Sequence, residues 1–276
     1  MSWEGRLALR YARDGERTVA HDRHEGPLRV LQSLHPEGAG ICHHVLVHPP
    51  GGIVGGDRLQ VDVQVGEGAH ALITTPGATR FYRSGGEPAT QQARLQVAAQ
   101  ARLEWLPLET LAYSGCVAEN SVCFELAVGA QMMGWDLLAL GLPAAGQAFV
   151  QGSYLQALEW PGRWLERGCI DAQDHLLLDS PLGLAGQRVC GTLWFASGSA
   201  LDRAQRDALL DGARACAAPH ALARLAGATS PHEGLVLLRV LAARVEPAMD
   251  LLRQVWLRWR EQAWGLTAAP PRVWRT

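Results

Sequence analysis

The chain has 276 residues, and 48% of them are hydrophobic, which is enough apolar surface for a folded core. All 25 basic residues are arginine and nearly balance the 27 acidic residues, so no basic field is available for nucleic acid. The absence of lysine excludes the phosphate loops and Schiff-base enzymes that depend on a lysine amine.

The N-terminal segment and the cysteines indicate a cytoplasmic protein. Residues 1–10 contain charged side chains and no apolar run of the kind found in secretory signals. The longest uncharged run, residues 137–158, is interrupted by glycine, proline and glutamine, so it does not predict a membrane span. The 6 cysteines form no C-x-x-C pair, which favours free thiols in a reducing compartment.

Alternation of apolar and polar residues predicts β-strands over the first two-thirds of the chain. The clearest run is 59–65, where leucine and valine alternate with glutamine and aspartate. Breaks that follow Val65, Val97 and Val128 recur at spacings of 32 and 31 residues. A near-constant period predicts stacked β coils, as in a solenoid, and an antiparallel sandwich is the alternative.

Two helices are predicted near the C-terminus. The first begins with a capping pattern at Ser199 and Asp202 and ends before Pro219. The second runs from about Pro247 to the residue before Gly265, which is a typical helix stop. The sequence therefore predicts a mainly β chain whose C-terminal third contains two α-helices.

We expect a single domain over residues 1–276, because no linker rich in proline, glycine and serine divides the chain. Within it, residues 1–198 form the β-rich part and residues 199–276 the helix-containing part.

The most distinctive segment is a glycine loop in the first quarter of the chain. It consists of His48, Pro49, Pro50, Gly51, Gly52, Ile53, Val54, Gly55, Gly56 and Asp57. Four glycines behind two prolines demand a tight backbone path. A phosphate cradle would need a helix after the loop, whereas a strand pattern follows it. The segment therefore predicts a structural turn in which Asp57 caps free backbone amides.

Thiol and imidazole groups precede this loop. In an extended strand Cys42, His44 and His48 share one face. Such ligands suit nickel, zinc or copper, but three of them on one edge lack the paired spacing of a structural metal site. We expect no tightly bound cofactor, and at most a weak, transient contact with nickel at these residues.

No complete catalytic constellation is present, since the sequence lacks G-x-S-x-G, H-E-x-x-H and EF-hand patterns. The enzymatic alternative is a β-rich hydrolase or lyase that uses His44, His48 and Asp57 in a glycine-lined cleft. Glu109 lies beside a turn and is expected to be solvated. Asp136 lies between tryptophan and leucine, where a carboxylate requires a polar partner if it points inward.

Several segments, in the same order along the whole chain, resemble the urease accessory proteins of the UreD (UreH) family. They are residues 26–28, 48–57, 74–83, 104–110, 135–136 and 271–274. The third segment contributes Thr75, Pro76, Gly77, Arg80 and Tyr82, and the next two contain Glu109 and Asp136. Arg80 stands where lysine is common in the family, so the positive charge is retained.

The resemblance implies a mostly β, helix-poor scaffold without enzymatic activity. The partners that it implies are apo-urease, a UreF-like bridging accessory protein and a UreG-like GTPase. It also implies that nickel passes through or along the protein to the urease active site, and it implies neither a nucleic acid nor a membrane partner.

The second predicted helix suggests where partners bind. Trp256 and Trp259 are three residues apart and share one helix face, which Arg253 and Arg258 border. Tryptophan and arginine are favoured as interface anchors, so we expect these four residues to contact the bridging protein. Packing of the same face into the core is the alternative.

Overall fold

The computed structural model describes residues 2–267 and 270–275, and strands are the most abundant secondary structure among them. The strands are β1 (Glu4–Asp14), β2 (Arg17–Glu25), β3 (Arg29–Val30), β4 (Ile41–Val47), β5 (Arg58–Val65), β6 (His70–Thr74), β7 (Thr79–Phe81), β8 (Ala89–Val97), β9 (Arg102–Leu106), β10 (Thr110–Ala112), β11 (Cys116–Leu126), β12 (Gln131–Leu140), β13 (Gly152–Trp160), β14 (Trp164–Asp171), β15 (Val189–Ser197), β16 (Ala226–His232) and β17 (Leu235–Ala242). The helices are α1 (His175–Asp179), α2 (Arg203–Ala217) and α3 (Val245–Trp264).

The strands form two sheets. The seven-stranded sheet has the order β14-β13-β11-β8-β5-β1-β2. The ten-stranded sheet has the order β16-β17-β15-β12-β9-β6-β4-β3, and the short strands β10 and β7 extend it beside β12.

Between β5 and β13 the chain coils from one sheet to the other. Strands β5, β8 and β11 pair in parallel in the first sheet, and β6, β9 and β12 do so in the second. Val65 lies opposite Val97, as the repeat predicted, so the expected solenoid-like stacking of coils is confirmed. The third repeat was misplaced by two residues, because Leu126 rather than Val128 lies opposite Val97.

The core has two layers, one on each face of the ten-stranded sheet. The first lies between the sheets and includes Val63 and Trp194. The second lies between the ten-stranded sheet and helices α2 and α3, and includes Trp135 and Phe195. Strand β12 has apolar residues on both faces for this reason, with Met132 pointing into the first layer and Met133 into the second.

The two predicted helices are confirmed as α2 and α3, although α2 begins three residues later than the capping pattern at Ser199 indicated, because Asp202 is the N-cap and the Ser199 hydroxyl accepts the Gly129 amide. The Asp202 carboxylate accepts the Gln205 amide 2.8 Å away and caps α2, which is the usual arrangement at a helix start. Gly265, at φ +64°, ends α3 in the left-handed conformation. The five-residue helix α1 was not predicted. Within residues 2–267 and 270–275, none of the helices combines the length and apolarity needed to span a bilayer.

Substitution at Gly134 tests how tightly side chains pack in the layer between the two sheets. Gly134 lies directly opposite Trp194 in the β12–β15 pair, and a Cβ atom at this position would overlap the indole ring. We expect Gly134→Ala to lower the free energy of unfolding by ~1–3 kcal/mol, the usual cost of overpacking. Urea denaturation measures the change. Gly227→Ala in β16 is the control, because a Cβ atom there meets nothing within 4 Å. Equal effects of both changes would contradict close packing at Trp194.

Candidate functional site: the glycine loop and the buried carboxylates

The glycine loop, residues 48–57, connects β4 to β5 and is held by its last residue. The Asp57 side chain is 3% exposed. Its carboxylate accepts the Trp3 amide at 2.8 Å and the Val54 amide at 3.0 Å. The predicted capping role of Asp57 is therefore confirmed, and the carboxylate also fixes the N-terminal strand beside the loop.

A second segment, residues 74–83, packs against the loop. Ile53 donates its amide to the Arg80 carbonyl at 2.7 Å and accepts the Tyr82 amide at 2.9 Å. The Arg80 guanidinium donates to the Gly51 carbonyl at 3.3 Å. Two segments that are far apart in the sequence therefore form one surface.

Between them lies a cavity of about 210 Å³ whose lining includes His48, Pro49, Gly51, Gly52, Thr75, Pro76, Gly77 and Arg80. The Thr75 hydroxyl donates to the Gly77 carbonyl at 3.0 Å and accepts the Leu108 amide at 2.9 Å, so neighbouring coils are joined here. Pro50 is exposed, and the ring of Tyr82 packs edge-on against Tyr113 at 4.8 Å. The first half of the glycine loop and the segment 75–80 therefore meet at one cavity, whereas Gly55, Gly56 and Asp57 do not line it.

The three residues considered for nickel lie in different surroundings. Cys42 and His44 point into the layer between the sheets, whereas His48 lies beyond the end of β4 and lines the surface cavity. Within residues 2–267 and 270–275, no group of three or more His, Cys, Asp or Glu side chains is placed to hold a metal ion. The three residues are therefore not assembled as a ligand set, and weak nickel contact stays a prediction.

His44 is also unavailable for acid–base chemistry with the loop. Its Nδ1 lies 2.8 Å from the Tyr11 hydroxyl and its Nε2 lies 2.7 Å from the Ser33 hydroxyl. Burial lowers the pKa of His44 to about 4, so its ring is neutral at neutral pH. Both ring nitrogens of His44 are held in the interior, His48 lines the surface cavity and Asp57 binds two backbone amides, so the cluster that the enzymatic alternative requires does not form. The geometry does not favour the hydrolase or lyase alternative.

Asp136 lies on the inner face of β12 and is 5% exposed. Its carboxylate accepts hydrogen bonds from Asn120, at 3.1 Å, and from Gln156, both on the opposite sheet. Burial raises the pKa of Asp136 to about 6, and the negative charge of Glu166 acts in the same direction. The polar partners required by the sequence argument are present, and they are neutral amides rather than cations.

A cavity of about 480 Å³ reaches this interior from the edges of the sheets. Gln156 lines it and also donates to Asp136. At its opening, Glu166 on β14 forms an ion pair with Arg239 on β17 and accepts the Thr192 hydroxyl at 3.4 Å. The Asp136 carboxylate is thus separated from the cavity by a single amide side chain.

The second buried carboxylate, Glu104, was missed by the sequence analysis. It points from β9 toward α3 and is fully buried. It accepts hydrogen bonds from His70 at 2.8 Å and from Trp256 at 2.6 Å, and the Arg260 Nε atom lies 3.1 Å away. The position of Glu104 within the apolar run 103–108 was the signal that a buried carboxylate with a polar partner lies here.

Arg260 extends this ion pair to the loop before β4. Its guanidinium contacts both carboxylate oxygens of Glu37, at 2.9 and 3.2 Å. Although burial acts to raise it, hydrogen bonds from His43 and Arg260 lower the pKa of Glu37 to about 2. Helix α3 is therefore attached to the sheet by charge as well as by apolar packing.

The prediction that Trp256 and Trp259 anchor a partner is wrong in this structure. Both side chains are fully buried, because α3 covers the outer face of the ten-stranded sheet. The guanidinium of Arg253 lies 4.9 Å from the ring centroid of Trp274, and Arg258 is exposed on the helix surface. Of the four residues, only the two arginines have surface available for contact.

Substitution at Gly55 tests the loop geometry. A Cβ atom there would overlap the Ser84 hydroxyl and lie 2.8 Å from the Glu87 carbonyl oxygen. The constraint is close approach, since the left-handed φ of +89° belongs to Gly56. We expect Gly55→Ala to lower stability by ~1–3 kcal/mol, as overpacking does. Thermal unfolding measures this, with Gly85→Ala as the control because its Cβ atom would meet nothing within 4 Å. Wild-type stability of Gly55→Ala would contradict the close approach.

Asp136→Asn tests the buried carboxylate by its pH dependence. The folded-state pKa of about 6 lies above the usual value of 3.8, so the stabilising contribution of Asp136 is present at low pH and is lost as pH rises through about 6. We expect the variant to gain ~1–3 kcal/mol over the wild type between about pH 4.5 and 7.5. Urea denaturation across this range measures the difference. Asp14→Asn, at an exposed carboxylate, is the control. A constant difference across the range would contradict the raised pKa.

Comparison with known proteins identifies the family of the chain. The model of the UreD urease accessory protein family matches residues 4–275. The urease accessory protein UreD of Leptothrix cholodnii is 64% identical over 278 residues, and that of Variovorax paradoxus is 58% identical over 276 residues, each match covering 100% of both chains. The Albidiferax ferrireducens protein of the same name is 59% identical and covers 99% of both chains. The chain therefore belongs to the UreD family of urease accessory proteins.

Proposed function

We propose that this protein is a non-enzymatic, cytoplasmic scaffold for the insertion of nickel into urease. In this role it binds apo-urease and a UreF-like bridging accessory protein, which brings a UreG-like GTPase to the assembly. The observation that carries the proposal is the family match over residues 4–275, together with relatives of the same length that are named as urease accessory proteins.

The glycine loop is the surface that we propose for partner contact. Asp57 holds Trp3 and Val54 beside each other by their amides, while their side chains are 54% and 40% exposed. Exposed apolar groups on a rigid backbone lose little conformational entropy when a partner covers them. This supports a docking role for the segment and assigns it no chemistry.

We propose further that nickel, as cargo, makes its transient contacts in the polar interior around Asp136. Asn120 and Gln156 leave the negative charge of the carboxylate uncompensated. A pKa of about 6 keeps Asp136 mostly ionised at neutral pH, so a passing cation meets an anionic oxygen in surroundings of low polarity. The adjoining cavity of about 480 Å³ gives this interior a connection to solvent.

Co-expression with urease tests the scaffold proposal. We expect the tagged protein to co-purify apo-urease and the bridging accessory protein, and we expect urease activity to require it. Calorimetry on the isolated protein should show only weak nickel binding, because no assembled ligand set is present among the described residues. Full urease activation in its absence, or failure to retain either partner, would contradict the proposal.

The nickel route has a separate test. Asp136→Asn should reduce urease activation, because it removes the negative charge that the cation would meet, and urea denaturation at neutral pH checks that the variant is folded. Partner co-purification serves as the control, because the substitution is buried and should leave docking unchanged. Normal activation by this variant would exclude the Asp136 route and leave the scaffold proposal standing.

A further inference from the structure

A groove runs beside the N-terminal half of α3. None of its lining residues belongs to the glycine loop. The volume of the groove is about 510 Å³. Its walls are the segment after β9, the turn after β12, the first three turns of α3 and the C-terminal Trp274. Four separate parts of the chain therefore build one concave surface.

The floor of the groove is apolar. Leu111, Leu142, Met249 and Trp274 line it, and Leu111 and Leu142 are only partly buried. Trp274 is fixed from below, because its indole N–H donates to the Thr74 hydroxyl at 2.7 Å. The surface offered to a ligand is thus a set of well-held apolar side chains, which suits a hydrophobic anchor.

The rim of the groove carries an excess of negative charge. Glu109, Glu246 and Asp250 line it, against the single guanidinium of Arg253. Asp250 already accepts hydrogen bonds from Gln254 at 2.7 Å and from His220 at 3.3 Å. The side-chain carboxylates of Glu109 and Glu246 form neither a hydrogen bond nor an ion pair with the residues in the ranges 2–267 and 270–275, although the charge of Glu109 acts on Arg253 through space. Two carboxylates are therefore unpaired at the edge of an apolar floor.

Arg253 compensates only part of the negative charge of the rim, because it is one cation against three carboxylates and its guanidinium is held against Trp274. Its guanidinium stacks on Trp274, 4.9 Å from the ring centroid. Burial lowers the pKa of Arg253, while the charges of Glu109 and Asp250 oppose this effect through space. The charge complementary to the rim as a whole is consequently positive.

We propose that this groove binds a basic segment of a partner protein, in which an arginine or lysine is flanked by apolar side chains. The apolar side chains lie on Met249 and Trp274, and the cation lies between Glu109 and Glu246. The inference rests on the proposed scaffold function, since it describes the chemistry of one partner contact. It also moves the contact expected on α3 from the buried tryptophan face to the groove beside it.

The test uses the full chain and short overlapping peptides that cover the urease subunits and the bridging accessory protein. Fluorescence polarisation with labelled peptides gives the affinities. We expect the peptides that bind to contain a basic residue next to apolar ones, and the double variant Glu109→Gln, Glu246→Gln to bind them at least ~5-fold more weakly. Glu119→Gln, Glu125→Gln removes two exposed carboxylates from β11 and is the matched control, which should bind like the wild type.

A second variant tests the groove independently of these carboxylates. Ala144→Arg adds positive charge and bulk at an exposed position on the rim, so it should also weaken peptide binding. Circular dichroism checks that each variant is folded. Peptides that bind without a basic residue, or equal binding by the wild type and both groove variants, would overturn the proposal.

Co-purification of full-length partners separates the two levels of inference. If the wild type and the groove variants retain urease and the bridging protein equally well, the groove proposal fails and the scaffold function stands. If the wild type retains neither partner, the scaffold function itself fails.

Discussion

The ten-stranded sheet is buried on both faces, and the rest of the structure follows from this constraint. One face packs against the seven-stranded sheet and the other against α2 and α3. A polar side chain on either face is cut off from water and must find a partner inside the protein. Glu104 finds His70, Trp256 and Arg260 on the helix side, and Asp136 finds amides on the side of the other sheet.

The two buried carboxylates differ in what their partners can do. Glu104 faces a guanidinium, which stays charged, so removing Arg260 would leave an uncompensated buried anion at a typical cost of ~3–5 kcal/mol. Asp136 faces only neutral donors, and its pKa rises to about 6. Glu104 therefore holds α3 in place by charge, whereas Asp136 can take up a proton near pH 6.

Sequence periodicity predicted the positions of strands and helices better than it predicted what packs against them. Alternation along 59–65 identified β5, and the spacing from Val65 to Val97 identified the stacking of coils. Periodicity along a strand or a helix does not show what covers each of its faces. It therefore left the burial of Trp256 as an alternative and did not reveal the role of Glu104. The third repeat was misplaced because Val128 continues the apolar alternation, although it is 77% exposed and lies in the turn after β11.

The coiled topology explains why segments that are distant in the sequence form one surface. Successive coils place equivalent corners beside each other, so residues about thirty apart become neighbours: Ile53 bonds with the strand at Arg80, and Thr75 accepts the amide of Leu108. Each of these corners contributes backbone and a few side chains to the surface. Such a surface is suited to recognising another protein, because shape and exposed apolar groups are what it offers. The family membership rests on the sequence and the shared surface rests on the fold, so two separate observations support the scaffold proposal.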